Sequence, residues 1–278
     1  MATSSSAQLL QAQAELWCHT LAYIKSMALQ SVIKLGIPTA IHRCGGAASL
    51  SDLRVHLPAV PPSKLPCLAR LMKLLTASGI FREDDAGVYR LTPVSRLLVE
   101  DVTGGRTCLS QFTVMATSPF HFGASQRLPE WLEKEEDDAA AETPFMMAHG
   151  AGFFGYTASD LEFGALFNDA MGADSRFVAE IVARECGEVF AGLASLVDVG
   201  GGDGTMAKAI AKAFPHVRCS VLELPQVDTV QVDGMVEFVA GDMMETVPPA
   251  DAVLLKVRVT TINNWEKFNF HHQTIAEV

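Results

Sequence analysis

The sequence contains no uninterrupted apolar run long enough to cross a bilayer, although 49% of its 278 residues are hydrophobic. Its polar first residues, Met1 to Ser6, lack a basic segment followed by an apolar core, so they are not typical of a secretory signal. These two absences predict a soluble, cytoplasmic protein without a membrane partner. The length predicts enough buried core for two domains.

The cysteines and histidines lack the spacings that create cross-links or metal sites. The six cysteines include no Cys-x-x-Cys pair and follow no disulfide framework, and the eight histidines show no metal-ligand spacing. The sequence therefore predicts buried thiols in a reducing compartment. No metal site is expected.

Positive charge is scarcer than negative charge, and only the amino-terminal part of the chain carries a positive excess. The formal net charge is −11 at pH 7, yet residues 1–110 contain 11 Lys and Arg against 7 Asp and Glu. The acidic excess therefore belongs to residues 111–278. The mildly basic first part keeps a DNA-binding function open as a competing hypothesis.

A glycine-rich segment from Leu196 to Thr205 is typical of a buried strand, a tight turn and the start of a helix. Glycine at every second position from Gly200 to Gly204 permits positive φ and close approach of a ligand. A dinucleotide-binding pattern would need Gly or Ala at Thr205. The preceding carboxylate, Asp198, instead suits a positively charged ligand such as S-adenosylmethionine. A tight turn without any ligand is the alternative interpretation.

Two later strand-like segments also end in carboxylates. Glu223 lies about 20 residues beyond the glycine turn, where a ribose-binding acid is expected. Asp242 is placed to accept the adenine amino group, and Met243 to pack on the adenine ring. Because the carboxyl ends of parallel strands meet at one edge of a sheet, these acids and Asp198 are predicted to lie together. Taken singly, each acid is also compatible with a helix N-cap or a solvated loop.

These motifs resemble the plant small-molecule O-methyltransferases of the caffeic acid and flavonoid type. The matching segments are Asp198-Val-Gly-Gly-Gly-Asp-Gly, Leu222-Glu-Leu-Pro, Gly241-Asp-Met and Ala250-Asp-Ala-Val-Leu-Leu-Lys. The resemblance implies an α/β fold with a class I methyltransferase, Rossmann-like sheet after a mainly helical winged-helix dimerisation domain. It also implies S-adenosylmethionine as cofactor and a phenolic small molecule as methyl acceptor.

The resemblance further implies which residues form the site. The implied cofactor contacts are Gly200, Glu223, Asp242, Met243, Lys256 and Ser175. Where this chain has Glu223 the family usually has Asp, and the longer side chain is expected to reach the ribose still. Asp198 is expected to support the turn. The implied substrate contacts, Phe163, Phe167 and Met171, share one helix face, which without the resemblance would be ordinary core.

The base that the family uses is missing from its place. A phenol is mostly protonated at neutral pH, so transfer to its oxygen needs a base within hydrogen-bond reach. The family has a His in a Trp-x-x-His-Asp-Trp segment shortly after Lys256, whereas this chain continues Val257-Arg-Val-Thr. No catalytic residue is assigned, and neither His271 nor His272 is expected to replace the base. Activity is therefore expected to be impaired.

The resemblance ends after Lys256, which would leave the sheet incomplete. The apolar run from Ala252 to Leu255 would then form a strand with an open edge, and such edges promote aggregation. Each Val or Leu that loses full burial would cost roughly 1.5–3 kcal/mol. Lys-Val-Arg is what a common splice-donor sequence encodes, so the unmatched tail is interpreted as translated intron sequence or a misjoined gene model.

Four parts are predicted along the chain. They are a winged-helix dimerisation domain at 1–110, linking helices with the substrate region at 111–190, a partial S-adenosylmethionine-binding domain at 191–256 and the unmatched tail at 257–278. In the first part, Leu65 to Ser78 is predicted to be a helix, followed by a hairpin that turns at Asp84 to Gly87.

The winged-helix region permits either DNA binding or dimerisation. DNA reading would need a helix face rich in Arg, Lys, Asn and Gln, but Lys64, Arg70 and Lys73 are interleaved with apolar residues. The apolar segment from Leu16 to Leu35 instead favours burial against a partner chain. We therefore expect a homodimer, or a heterodimer in which this chain is the non-catalytic partner of a full-length paralogue. No nucleic-acid partner is expected.

Overall fold

The computed structural model describes residues 5–100, 108–134, 142–225 and 234–256, together with the backbone of 274–277. The chain divides into two compact units, Met1–Ala170 and Met171–Val278. Among the described residues, no helix combines the length and the apolar character that a bilayer crossing requires.

The first unit is mainly helical. Its helices are α1 (Ser6–Thr20), α2 (Ala22–Lys34), α3 (Ile37–Arg43), α4 (Leu50–His56), α5 (Leu65–Ala77), α6 (Pro93–Arg96), α7 (Ser110–Ala116), α8 (Pro119–Gln126), α9 (Leu128–Leu132), α10 (Pro144–His149) and α11 (Phe153–Ser159). A 3-10 turn, Pro62–Lys64, precedes α5. Strands β1 (Ala47–Ala48), β2 (Phe81–Glu83) and β3 (Tyr89–Leu91) form an antiparallel sheet in the order β1-β3-β2.

Local sequence signals set these boundaries. The Ser49 side chain accepts from the Asp52 backbone N–H while the Asp52 carboxylate accepts from the Ser49 N–H, which is a capping box at the start of α4. Gly79 follows α5 with a φ of 77°, and the Asp84 carboxylate accepts backbone N–H bonds within the turn between β2 and β3. The predicted helix and hairpin are thus both present.

The core of the first unit lies between the short helices and the small sheet. Its largest fully buried side chains include Ile41, Leu53, Met72, Leu75 and Phe81. Helix α1 contributes no buried residue to this core.

Helix α12 (Leu161–Glu185) begins in the first unit and ends in the second. The second unit continues with α13 (Gly187–Phe190), β4 (Ser195–Val199), α14 (Thr205–Ala213), β5 (Arg218–Glu223), β6 (Glu237–Ala240), β7 (Ala252–Leu255) and β8 (Thr274–Glu277). All its paired strands are parallel, in the order β6-β5-β4-β7-β8.

The strand order explains the continuous apolar runs in the sequence. Strands β4 and β7 lie inside the sheet, so residues on both of their faces are buried. Leu196 and Leu254 pack with α14 in one cluster, while Val197 and Val253 pack in another. Because the chain passes from β4 outward to β6 and then returns to β7, β4 lies where the strand order reverses. Ligands bind at the carboxyl ends of strands at such a point.

The pairing of β8 corrects one expectation. An open edge at β7 was predicted, yet β8 pairs with β7 in parallel from Ala252 opposite Thr274 to Leu255 opposite Glu277. Strand pairing is made by backbone groups, which need no sequence motif. The resemblance therefore carried no information about this strand, and the predicted open edge is wrong.

The six cysteines are free thiols, but only Cys219 is buried. Cys18 and Cys67 are exposed, so the prediction of buried thiols is wrong for these two. Cys18 lies on α1, which has no buried face, and Cys67 lies on the exposed side of the first turn of α5.

Candidate functional site

The glycine turn between β4 and α14 has the backbone conformation that glycine favours. Gly200, Gly202 and Gly204 have φ values of 67°, 58° and 75°. The Gly200 N–H donates to the Leu222 carbonyl at 2.8 Å, which attaches the turn to β5. The sequence prediction of positive φ at these glycines is confirmed.

The turn is crowded on one side and open on the other. A Cβ at Gly204 would lie 3.0 Å from Cζ of Phe238, and a Cβ at Gly201 would lie 2.7 Å from the Asp198 carboxylate. Apart from the glycine itself and its chain neighbours, no described heavy atom lies within 4 Å of the Cβ positions at Gly200 and Gly202. The backbone at Gly201 and Gly204 is therefore packed against side chains of the sheet, whereas Gly200 and Gly202 leave room for a ligand.

Glu223 binds the glycine turn directly. Its Oε2 accepts from the Gly202 backbone N–H at 2.8 Å, and its Oε1 accepts from the Leu224 N–H at 2.9 Å. A carboxylate offers about four acceptor positions, so acceptor capacity remains for ligand hydroxyls. The carboxylate predicted at the end of β5 thus lies beside the turn.

Asp198 carries a buried carboxyl group next to Gly201 in the glycine turn. Its side chain is 1% exposed, and its Oδ2 has no hydrogen-bond partner among the described residues. Burial raises the pKa of Asp198 to about 7, and the neighbouring Glu223 and Asp203 charges act in the same direction. The Ala207 backbone N–H and the Lys256 charge oppose this rise. Asp198 therefore changes charge near neutrality, and a cation above the turn would stabilise its charged form.

Asp242 and Met243 lie just beyond β6. Glu223 pairs with Ala240 across β5 and β6, so Asp242 begins two residues past the paired end. Its side chain is exposed, and its Oδ1 accepts from the Met244 backbone N–H at 2.8 Å. Met243 is half-buried against the cluster that contains Val197 and Leu222.

Lys256 and Ser175 are in contact although 81 residues separate them. Lys256 Nζ donates to Ser175 Oγ at 3.0 Å and pairs with Asp174 Oδ2 at 2.8 Å. This ion pair is partly buried, with 19% of the lysine side chain and 34% of the aspartate side chain exposed. Sequence reasoning missed Asp174, although it is adjacent to Ser175.

Asp251 was also missed, and it acts at the opposite edge of the sheet. Its Oδ2 accepts from the Ala194 N–H, the Ser195 N–H and Ser195 Oγ, at 2.8, 2.9 and 3.1 Å. The Ala194 backbone N–H is the main reason that the pKa of Asp251 is below its usual value. Asp251 therefore joins the start of β7 to the start of β4.

Phe163 and Phe167 belong to an aromatic cluster of the first unit. The Phe163 ring lies 3.8 Å from the Phe120 ring between centroids, and the Phe167 ring lies 5.0 Å from Phe153. Phe163 is 8% exposed. Asp160 fixes the start of α12, since its Oδ1 accepts from the Phe163 N–H at 3.0 Å. Met171 lies two turns after Phe163 on the same helix and is half-buried.

Two protein families match the chain. The O-methyltransferase dimerisation domain matches residues 17–101, and the O-methyltransferase domain matches residues 126–268, which continues past Lys256. A flavonoid O-methyltransferase-like protein of Oryza sativa subsp. japonica is 46% identical over 278 residues, covering 95% of this chain and 73% of that protein.

Another relative and one solved structure extend the comparison. Acetylserotonin O-methyltransferase 1 of the same rice subspecies is 44% identical over 256 residues, covering 91% of this chain and 70% of that protein. The structure of the pyocyanin biosynthetic protein PhzM superposes with a TM-score of 0.68 at 27% identity, covering 88% of this chain and 71% of that one.

Proposed function

This chain belongs to the plant O-methyltransferase family, and we propose that its glycine turn, Glu223 and the residues after β6 bind S-adenosylmethionine, the cofactor of that family. The observation that carries the proposal is the hydrogen bond from the Gly202 N–H to the Glu223 carboxylate. It joins the two predicted nucleotide-binding elements at the point where the strand order reverses.

The residues around the turn fit an adenosine that carries a charged sulfur. The open faces of Gly200 and Gly202 leave space against the backbone. The remaining acceptor positions of Glu223 suit the ribose hydroxyls, and the second oxygen of Asp242 suits the adenine amino group. Met243 is then the apolar side chain that packs on the adenine ring.

Ser175 and Lys256 complete the proposed cofactor contacts. Their mutual hydrogen bond holds the ammonium group just beyond the end of β7, the strand beside β4. When bound, S-adenosylmethionine supplies a methyl group activated by its sulfonium. Oδ2 of Asp198 has no hydrogen-bond partner among the described residues, and it adds negative charge beside the turn once the carboxyl group is deprotonated. Asp198 therefore supports the turn and favours a cation bound there.

The acceptor is proposed to be a phenolic small molecule. Phe163, Phe167 and Met171 are the proposed contacts, and they recur at four-residue spacing along α12. The aromatic cluster around Phe163 supports this proposal, because flat apolar rings are suitable neighbours for a phenol. The relatives include flavonoid-type and acetylserotonin enzymes, so the family alone does not fix one acceptor.

Methyl transfer by this chain is proposed to be slow. No His occurs in the residues immediately after Lys256, where the family resemblance predicts the general base. Loss of a general base typically costs a factor of about 10²–10⁴ in rate. Cofactor binding does not require that base and is expected to persist.

The helix α1 supports a proposal of dimerisation. It has no buried residue, and Leu9, Leu10, Leu16 and Trp17 are between 57% and 66% exposed. Large apolar side chains grouped in this way are typical of an interface. The matched dimerisation domain shows oligomerisation for the family; a homodimer, or a heterodimer with a full-length paralogue, is the proposed form here.

A DNA-reading function is less well supported. Glu83 at the end of β2 and Asp84 and Asp85 in the hairpin turn would repel an extended phosphate backbone that runs along the wing. Dimerisation is therefore the favoured function of the first unit.

Calorimetric titration with S-adenosylhomocysteine tests the cofactor proposal without requiring turnover. The wild-type chain is expected to bind, and Glu223→Gln is expected to weaken binding about tenfold or more, because it removes charge-assisted hydrogen bonds. Glu237→Gln, on an exposed position of β6, is the matched control and should bind normally. Absence of wild-type binding, or equal loss in both variants, would contradict the proposal.

A separate assay tests the proposed impairment. Transfer of a labelled methyl group to a phenol panel is expected to be slow at saturating cofactor. Binding together with rapid transfer would refute the impairment alone and leave the cofactor site intact.

A further inference from the structure

A basic cleft lies on the outer face of the small antiparallel sheet in the first unit. It encloses about 450 Å³ and is lined by His42, Gly45, Gly46, Arg82, Arg90, Leu91 and Arg96. The residues come from the end of α3, the following turn, strands β2 and β3, and α6. A volume of this size suits a small molecule.

Two arginines in the cleft are placed directly opposite each other. Arg82 of β2 pairs with Arg90 of β3 in the antiparallel register. Their neighbours Phe81 and Tyr89 are buried, so both arginines extend from the opposite, solvent-facing side of the sheet. Like charges opposite each other destabilise a sheet. The ion pair between Arg90 and Asp84 offsets part of this repulsion, whereas Arg82 has no such partner among the residues that the structure describes.

Three guanidinium groups line the cleft, and one nearby carboxylate, Asp84, pairs with one of them. Arg90 Nε and Nη2 donate to Asp84 Oδ2 at 3.3 and 3.2 Å. Within the described ranges, Arg82 and Arg96 form neither an ion pair nor a hydrogen bond. Two guanidinium groups thus remain available, and guanidinium is the side chain that best matches a phosphate group.

The other side of the cleft is made of small residues. Ala47 of β1 is the partner of Arg90 across the sheet, and Gly45 and Gly46 precede it with φ values of 76° and 88°. Apart from each glycine and its chain neighbours, no described heavy atom lies within 4 Å of the Cβ positions of these glycines. A ligand can therefore reach the arginines without meeting a bulky side chain.

We propose that this cleft binds a doubly charged phosphate anion, either free or as the phosphate group of a small nucleotide. The guanidinium groups of Arg82 and Arg96, which have no partner in the described part of the chain, match the charge of a dianion, and an anion beside Arg82 would also reduce its repulsion with Arg90. The adjacent Glu83 and Asp85 and the net charge of −11 favour a compact anion over a nucleic-acid backbone.

Calorimetric titration of the full chain at low ionic strength tests this site. Inorganic phosphate, pyrophosphate and ADP are titrated separately, with S-adenosylhomocysteine in excess so that adenosine cannot bind at the glycine turn. Pyrophosphate is expected to bind more tightly than phosphate. Equal affinities for ADP and pyrophosphate would support recognition of the anion alone, and tighter ADP binding would support a nucleotide as its source.

Arginine variants locate the binding and provide the control. Arg82→Gln and Arg96→Gln are each expected to weaken pyrophosphate binding about tenfold or more. Arg70→Gln removes the same charge from an exposed position of α5 outside the cleft, and is expected to change the affinity less than twofold. Pyrophosphate should raise the melting temperature of the wild type but not that of Arg82→Gln, whose own melting curve verifies its folding.

Three results would overturn the proposal. They are absence of pyrophosphate binding, equal weakening by Arg70→Gln and Arg82→Gln, and tighter binding of duplex DNA than of pyrophosphate with a steep salt dependence. Because the phosphate and pyrophosphate titrations can be repeated without S-adenosylhomocysteine, failure of the cofactor proposal would not obscure the result.

Discussion

The Glu223 carboxylate accepts hydrogen bonds from two backbone N–H groups on different segments, that of Gly202 in the glycine turn and that of Leu224 after β5. The resemblance predicted Glu223 as a ribose contact only. The structure adds a second role, because the side chain also holds the turn in place. A Glu at this position has the length to reach across from β5 to the turn.

Shortening this side chain should loosen the turn. Glu223→Asp is expected to lose the bond to Gly202, because the carboxylate is withdrawn by one methylene. A typical hydrogen bond to a charged group is worth about 1.5–3 kcal/mol. Hydrogen exchange measured by NMR should show faster exchange at the Gly202 amide, with no change at the Gly241 amide, whose bond is to the Glu223 backbone carbonyl. Unchanged exchange at Gly202 would contradict this role.

The stability of the second unit should fall as the pH rises toward neutrality. Burial raises the pKa of Asp198 from its ordinary value of 3.8 to about 7 in the folded protein. Between these values the folded state retains a proton that the unfolded state has released. Its contribution to the free energy of unfolding is therefore complete below pH 4 and decreases up to about pH 7, by at most about 1.4 kcal/mol per pH unit.

Urea unfolding of the wild type and Asp198→Asn between pH 4 and 8 measures this contribution. In the variant, the free energy of unfolding should not show this fall between pH 4 and 7, because the introduced amide does not titrate. If both proteins follow the same pH curve, Asp198 is not the group responsible.

Two glycine substitutions should distinguish a position needed for stability from a position needed for cofactor binding. Gly204→Ala places a methyl group 3.0 Å from the Phe238 ring at a φ of 75°, so it should lower the melting temperature strongly. Gly202→Ala, at a φ of 58° with no described atom within 4 Å, should cost only the conformational penalty of about 1–2 kcal/mol. Its larger effect should be on S-adenosylhomocysteine affinity. Thermal melting should show the larger effect for Gly204→Ala, and calorimetric titration should show the larger effect for Gly202→Ala.

The ion pair between Lys256 and Asp174 should couple α12 to the end of β7. A partly exposed pair of this kind contributes about 1 kcal/mol at most. A double-mutant cycle with Lys256→Gln and Asp174→Asn, followed by urea unfolding, should give a coupling of about 0.5–1 kcal/mol. Additive effects of the two substitutions would show that the contact does not stabilise the protein.

The apolar face of α1 should determine the oligomeric state. Leu16→Glu introduces a charge where an apolar partner surface is proposed, and it should shift the protein to monomers in sedimentation velocity. Gln13→Glu adds the same charge on the same exposed helix without removing an apolar side chain, and should leave the distribution unchanged. Identical behaviour of the two variants would exclude this face as the interface.

The sequence predicted the parts of the molecule whose physical cause is local. Apolar runs, the turn glycines and the capping residues define β4, α14 and the β2–β3 hairpin without reference to distant residues. The contact between Gly202 and Glu223 could also be anticipated, because the carboxyl ends of adjacent parallel strands must meet. These features follow from backbone geometry and side-chain burial.

Contacts between distant segments could not be predicted in the same way. The approach of Asp174 to Lys256 depends on how α12 packs, and no periodicity in either segment indicates it. Strand β8 pairs through its backbone, so its residue types gave no signal. Asp251 was noticed only as part of a motif, although its three hydrogen bonds give it a definite structural role.

The hydrogen bonds of Asp251 fix the alignment of β4 and β7 at the end of the sheet opposite the proposed ligand site. Sliding of β7 past β4 by even one residue would break bonds made at the amino ends of both strands, so their alignment is secured without any help from the ligand-facing loops. A substitution in those loops should therefore leave the alignment of the two strands unchanged.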